Sequence, residues 1–137
     1  LDRHRILIVD DDARYAELLS LMLRRNGYQV SLALSGEEAL TAAVSRPDLV
    51  ILDIVMPGID GFEVANRLES VTGEATPFIF LTAKGLSHRR LTGLGIGAAE
   101  YLTKPFHPDQ LLQAVNNIFL CQQEIPPEDI AERRDKV

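Results

Sequence analysis

Three short apolar runs, Ile6-Leu7-Ile8-Val9, Leu49-Val50-Ile51-Leu52 and Phe78-Ile79-Phe80-Leu81, stand out because no polar residue alternates within them. Such runs suit strands covered on both faces, as in a parallel sheet between helices. Two more strands are expected, from Tyr28 to Ala33 and, briefly, from Glu100 to Leu102. The stretches between the strands repeat at helical spacing. Tyr15, Leu18, Leu19 and Met22 mark a first helix, and Gly27 supplies a left-handed stop after it. Ser35 and Glu38 have capping-box spacing and open a second helix through Leu40 and Val44 toward Pro47. Asp60 and Glu63 repeat that spacing before a third helix carrying Phe62, Val64, Leu68 and Val71. A weak, Gly- and Arg-rich fourth helix is expected around Ser87 to Leu94, its low packing content predicting mobility. A fifth starts near His107-Pro108 and runs through Leu111, Leu112, Val115, Ile118 and Phe119. The alternation predicts five βα units and hence an α/β fold.

The polar residues fall at the strand ends. Asp10-Asp11-Asp12 follows the first strand, Asp53 closes the third, Thr82 follows the fourth and Lys104 lies just past the fifth. In a parallel sheet all strand C-termini share one edge, and ligands bind there, where the strand order reverses. Five βα units most simply give the order 2-1-3-4-5. Strands one and three are then neighbours, with Asp10 and Asp11 about one strand spacing, roughly 5 Å, from Asp53. Ionised carboxylates at that separation repel by about 3 kcal/mol per pair at an effective dielectric near 20, so the cluster calls for a cation. A few hard oxygen ligands without an EF-hand loop suit Mg²⁺ that shares its remaining positions with water and phosphate. Lys104 offers a point charge and Thr82 a hydroxyl to phosphoryl oxygens. Asp53, at the centre, is the candidate nucleophile for an acyl phosphate.

Composition narrows the classes. At 137 residues the chain is expected to form one domain with a sizeable core. Its net charge of -6 argues against this domain gripping nucleic acid by itself. A lone cysteine, Cys121, and scattered His4, His88 and His107 provide no disulfide and no ligand spacing, which fits a cytoplasmic setting. No apolar run reaches membrane-spanning length and no signal-peptide pattern opens the chain. The first residue, Leu1, suggests a processed or excised piece. Residues 121–137, with Pro126-Pro127 and dense mixed charge, read as a linker or extension toward an output domain, leaving 1–120 as the main domain.

Four segments in combination carry a resemblance: Ile6-Leu7-Ile8-Val9-Asp10-Asp11-Asp12, Asp53-Ile54-Val55-Met56-Pro57-Gly58-Ile59-Asp60-Gly61, Leu81-Thr82-Ala83-Lys84 and Gly97-Ala98-Ala99-Glu100-Tyr101-Leu102-Thr103-Lys104-Pro105-Phe106. From about Arg5 to Leu120 the chain resembles the receiver domain of two-component response regulators, which implies a flavodoxin-like, doubly wound (βα)5 sandwich. Position by position, the resemblance implies that Asp53 is phosphorylated by a histidine kinase or phosphotransfer protein. It implies that Asp10, Asp11, Asp53 and the Val55 backbone carbonyl hold Mg²⁺. Thr82 matches the hydroxyl that contacts the phosphoryl group, Lys104 the phosphate-binding lysine, and Tyr101 the aromatic switch. The Lys104-Pro105 bond is expected to be cis. The function implied is a signalling phosphoacceptor, not an enzyme in the usual sense, that promotes its own phosphotransfer and dephosphorylation. Phosphorylation is expected to change the face formed by helix four, strand five and helix five. Ala99 and Ala114 replace an Asp and an Arg common in the charged dimer network of one subfamily, so a phosphorylation-dependent homodimer by that network is not expected.

Each residue alone has an ordinary reading. An Asp after a strand is more often a cap or loop residue, and Asp12 is expected to cap the first helix. Tyr101 alone would be an edge-strand aromatic and Lys104 a solvated lysine. His88 and His107 are expected in exposed or capping roles, and Gly58 and Gly61 as backbone-conformation residues. Joint placement on one edge is what favours function. Two alternatives remain. Asp10-x-Asp12 has the spacing of a haloacid dehalogenase nucleophile and acid, which would make the chain a Mg²⁺-dependent aspartyl-phosphate phosphatase, although Arg14 stands where that family expects Thr or Val. A flavin carrier on the same topology would need a Ser/Thr-rich phosphate loop after the first strand, which is missing.

Overall fold

β3 (Leu49–Asp53) is buried at all of its positions, as its unbroken apolar run requires. It pairs on one side with β1 (Arg5–Val9) and on the other with β4 (Phe78–Thr82), all parallel. β2 (Gln29–Ala33) and β5 (Glu100–Thr103) are the edges of a five-stranded sheet in the order β2-β1-β3-β4-β5. This is the expected doubly wound arrangement. The computed structural model of the chain describes residues 4–54, 56, 58, 61–72, 76–82 and 100–124.

The absence of alternation in the central strands has a direct cause, since successive side chains enter two different cores. Leu7, Val9, Val50, Leu52 and Phe80 face α2 (Gly36–Ala42) and α3 (Gly61–Thr72), meeting Ala39, Val64 and Leu68. Ile6, Ile8, Leu49, Ile51, Ile79 and Leu81 face α1 (Ala13–Arg25) and the last helix among the described residues, α4 (Pro108–Glu124), meeting Leu19, Leu23, Leu111, Val115 and Phe119. Burying a Leu, Ile or Phe side chain contributes about 1.5–3 kcal/mol, so these two layers hold the strands in the register that sets the sheet's C-terminal edge.

The helix ends follow their local chemistry. The Asp12 side chain accepts the Tyr15 N–H at 3.2 Å and caps α1, while Arg24 and Arg25 occupy its last turn. Gly27, at φ +94°, ends it as expected. Ser35 accepts the Glu38 N–H at 3.1 Å at the start of α2. That helix is shorter than its spacing suggested. It stops at Ala42, passes through a 3-10 turn at Ala43–Ser45 and leaves through Arg46 in a left-handed conformation at φ 57°. Pro47 then keeps Arg46 out of the right-handed α region, so the helical path does not continue. α4 opens on Pro108, as predicted, with the His107 Nδ1 accepting the Asp109 N–H at 3.2 Å. It runs to Glu124, beyond Leu120, since no glycine or proline interrupts it there. The expected fourth helix, the Asp60 cap, His88 and most of the 121–137 extension lie outside the described residues.

Candidate functional site

Asp10 continues the β1 ladder by one residue, its N–H donating to the Ala33 carbonyl at 3.1 Å. That fixes its side chain at the C-terminal edge, where it is fully buried. Asp53 closes β3 opposite Leu81 and is 7% exposed. Asp11 is exposed beside them. One carboxylate oxygen from each of Asp10, Asp11 and Asp53 lies within 4.8 Å of the others, matching the strand-spacing expectation.

Lys104 joins the cluster from the far side. Its Nζ donates to Asp10 Oδ2 at 2.9 Å and to Asp53 Oδ2 at 3.4 Å. Burial by itself would lower the Lys104 pKa. The hydrogen bond and charge of Asp10, reinforced by Asp53, outweigh it and hold the ammonium above its ordinary value. Three carboxylates against one ammonium leave the site about two negative charges within a few ångströms. The donors are hard oxygens, two of them buried, so the residues fit a divalent cation of the Mg²⁺ type. The Lys104-Pro105 peptide is cis, as the resemblance implied.

Tyr101 lies on β5 in register with Phe80, the two rings 5.8 Å apart and tilted, and packs half-buried against the α2–α3 side of the core. The Thr82 backbone closes β4 beside Thr103, and its side chain lies outside what is described. The Val55 carbonyl also lies outside the described residues. Gly58 has φ +78°, and a Cβ there would come only within 3.5 Å of Glu37 Oε1, so backbone conformation rather than space favours glycine.

One expectation changes. Asp12 spends its carboxylate on the α1 cap, which leaves the haloacid dehalogenase alternative without its second acid. Ala114, on α4, packs into the core shared with α1. One residue that sequence reasoning placed only in the first helix's apolar stripe belongs at the site. The Tyr15 ring lies beneath the Lys104 Nζ, 4.6 Å from ring centroid to nitrogen, and meets Phe106 edge-on at 6.0 Å. Burial raises the Tyr15 hydroxyl pKa, the Lys104 charge opposes the rise, and Asp10 and Asp53 add to it. The available signal was position: Tyr15 falls in the first turn after the Asp12 cap, at the same sheet edge as the acids.

Residues 6–116 match the family model described as the response regulator receiver domain. The response regulator MprA of Mycobacterium bovis is 44% identical over 129 residues, covering 93% of this chain and 54% of that protein. MprA of Mycolicibacterium vanbaalenii is 49% identical over 109 residues, 79% of this chain and 47% of that one. The chain thus spans about half the length of these curated relatives. Among solved structures, the chemotaxis protein CheY4 of Vibrio cholerae superposes with a TM-score of 0.76 at 32% identity, covering 85% of this chain and 98% of that chain. A CheY-like receiver domain protein from Methanospirillum hungatei gives 0.79 at 27% identity, covering 91% and 100%. No helix among the described residues is long and apolar enough to cross a membrane.

Proposed function

The chain belongs to the response regulator receiver domain family of two-component signalling, and from that premise we propose that it is switched by phosphorylation of Asp53. The observation that carries this reading is the Asp53 carboxylate at the sheet edge, set beside Asp10 and Asp11 and bridged to Asp10 by Lys104. In the reaction an Asp53 oxygen attacks phosphorus in line, a P–O bond forms, and the P–N bond of a partner's phosphohistidine breaks with its electron pair returning to the imidazole. Lys104 moves its hydrogen bonds from carboxylate to phosphoryl oxygens and offsets the charge that spreads over them. Mg²⁺ held by Asp10, Asp11, Asp53 and the Val55 carbonyl supplies charge neutralisation when bound. The same groups, acting on water, promote dephosphorylation.

The added phosphoryl charge draws the Thr82 hydroxyl inward, and Tyr101 turns into the space released, so that the β5 face reports the state of the edge. Residues 1–120 form the receiver, and residues 121–137 serve as a linker or extension toward an output domain. The partners are a histidine kinase or phosphotransfer protein and that output domain, and the setting is the cytoplasm. Incubation with labelled acetyl phosphate and Mg²⁺ tests the assignment. The wild-type chain should take up acid-stable, base-labile label and Asp53→Asn should take up none; full labelling of Asp53→Asn would overturn the reading.

A further inference from the structure

A closed circuit of four contacts runs around Lys104. The Asp12 N–H donates to Asp10 Oδ1 at 3.0 Å, and the Tyr15 N–H donates to Asp12 Oδ1 at 3.2 Å. The Tyr15 ring carries the Lys104 ammonium at 4.6 Å, and that ammonium donates to Asp10 Oδ2 at 2.9 Å. The circuit ties the start of α1 to the connection between β5 and α4. Phe106 strengthens the tie, because its T-shaped contact with Tyr15 comes from the same short segment as Lys104. Tyr15 therefore meets that segment twice, by its face at Lys104 and through Phe106.

We propose that Tyr15 is a positioning residue, whose ring face holds the Lys104 ammonium at the Asp10–Asp53 edge where a phosphoryl oxygen arrives. The proposal rests on the reading of Lys104 as the phosphoryl contact. A lysine side chain has four flexible bonds and loses much rotamer freedom when fixed. Asp10 and Asp53 fix it in the resting site, but Asp53 is also the group that receives the phosphoryl, so its hold on Lys104 changes during the reaction. The attraction between an ammonium and a ring face depends on the ring's quadrupole and needs no charge on the carboxylates. The Tyr15 contact thus does not depend on the Asp53 carboxylate that changes during transfer. An ordinary packing role for Tyr15 would need the ring's shape alone; the positioning role needs its charge distribution.

The test combines a double-mutant cycle with a direct view of the lysine. Tyr15→Leu should slow labelling of Asp53 by acetyl phosphate about fivefold, within the range of a partly desolvated cation–π contact, while Tyr15→Phe stays within about twofold of wild type. In a Lys104→Met background Tyr15→Leu should add nothing, which is the coupling that separates positioning from packing. The Lys104 side-chain NMR signals should be shifted upfield by the ring in wild type and Tyr15→Phe, and move to ordinary positions in Tyr15→Leu. A pentafluorophenyl ring at position 15 keeps the shape but reverses the quadrupole, and should slow labelling as Tyr15→Leu does even if Leu perturbs the fold. Unshifted Lys104 signals in the wild type, equal losses in both Lys104 backgrounds, or full activity with the fluorinated ring would each overturn the proposal. A wild-type chain that took up no label would sink the Asp53 reading instead, and the Lys104 signals would still decide the contact with Tyr15.

Discussion

Ser20 lies on the buried side of α1, 2% exposed, and its Oγ is the one buried side-chain polar atom among the described residues without a hydrogen-bond partner. Leaving a hydroxyl buried and unpaired costs about 1–3 kcal/mol, since its bond to water in the unfolded chain is not replaced. Alanine removes that cost and adds about 0.5 kcal/mol of helix propensity at an interior position. The vacated oxygen leaves a void of about 10 Å³, which at about 24 cal/mol per Å³ returns only about 0.2 kcal/mol. Ser20→Ala should therefore stabilise the domain by about 1.5 kcal/mol, raising the melting temperature by about 5 °C. Urea unfolding followed by far-UV circular dichroism checks it. The midpoint should rise with an unchanged slope, the sign of a change in stability rather than in surface exposed. Ser70→Ala, at an exposed position of α3, serves as the comparison because it reports propensity alone. If Ser20→Ala gains no more than Ser70→Ala, the Ser20 hydroxyl is not the burden its burial implies.

Three further outcomes follow from the same structure. Lys104→Met leaves Asp10 facing Asp53 without the cation between them, and should lower stability by about 1–3 kcal/mol in Mg²⁺-free buffer, with much of the loss recovered on adding Mg²⁺ in thermal melts. Asp12→Ala removes the α1 cap and should cost about 1 kcal/mol in urea titration, with Asp12→Ser retaining most of it. The Tyr28 hydroxyl donates to Asn116 Oδ1, and burial holds its pKa above the ordinary 10.0. A pKa raised on folding gives stability that is complete below the unfolded value and is lost as pH climbs through the folded one. Wild type should then lose stability relative to Tyr28→Phe above pH 10.0, a divergence readable in urea midpoints and absent if Tyr28 titrates normally.

The strands that carry the site were the most legible part of the chain, because β1, β3 and β4 must be apolar on both faces and must end where their polar residues begin. Asp10, Asp11, Asp53 and Lys104 followed from placing those ends on one edge. The features that escaped reading depend on which neighbour a side chain meets. Tyr15 has the spacing of a core residue, and only the approach of the β5–α4 connection turns its face toward Lys104. Ser20 sits within an apolar stripe, where sequence gives no sign that its hydroxyl goes unpaired. The early end of α2 was signalled by Pro47, but Val44 continued the apolar spacing and hid it.

The hydrogen bond between Lys104 and Asp10 joins residues 94 positions apart, and the one between Lys104 and Asp53 spans 51. The site is therefore among the most non-local contacts of the fold, and such contacts must meet the cost of loop closure before they add stability. A nascent chain has synthesised both acids long before the lysine that pairs with them emerges, so the edge cannot be completed until the segment after β5 is made. No piece of this sequence that ends before Lys104 can carry the complete site. If Asp53 is the phosphoacceptor proposed above, competence to accept a phosphoryl group is also a readout of completed folding, and a chain truncated before β5 should take up no label from acetyl phosphate.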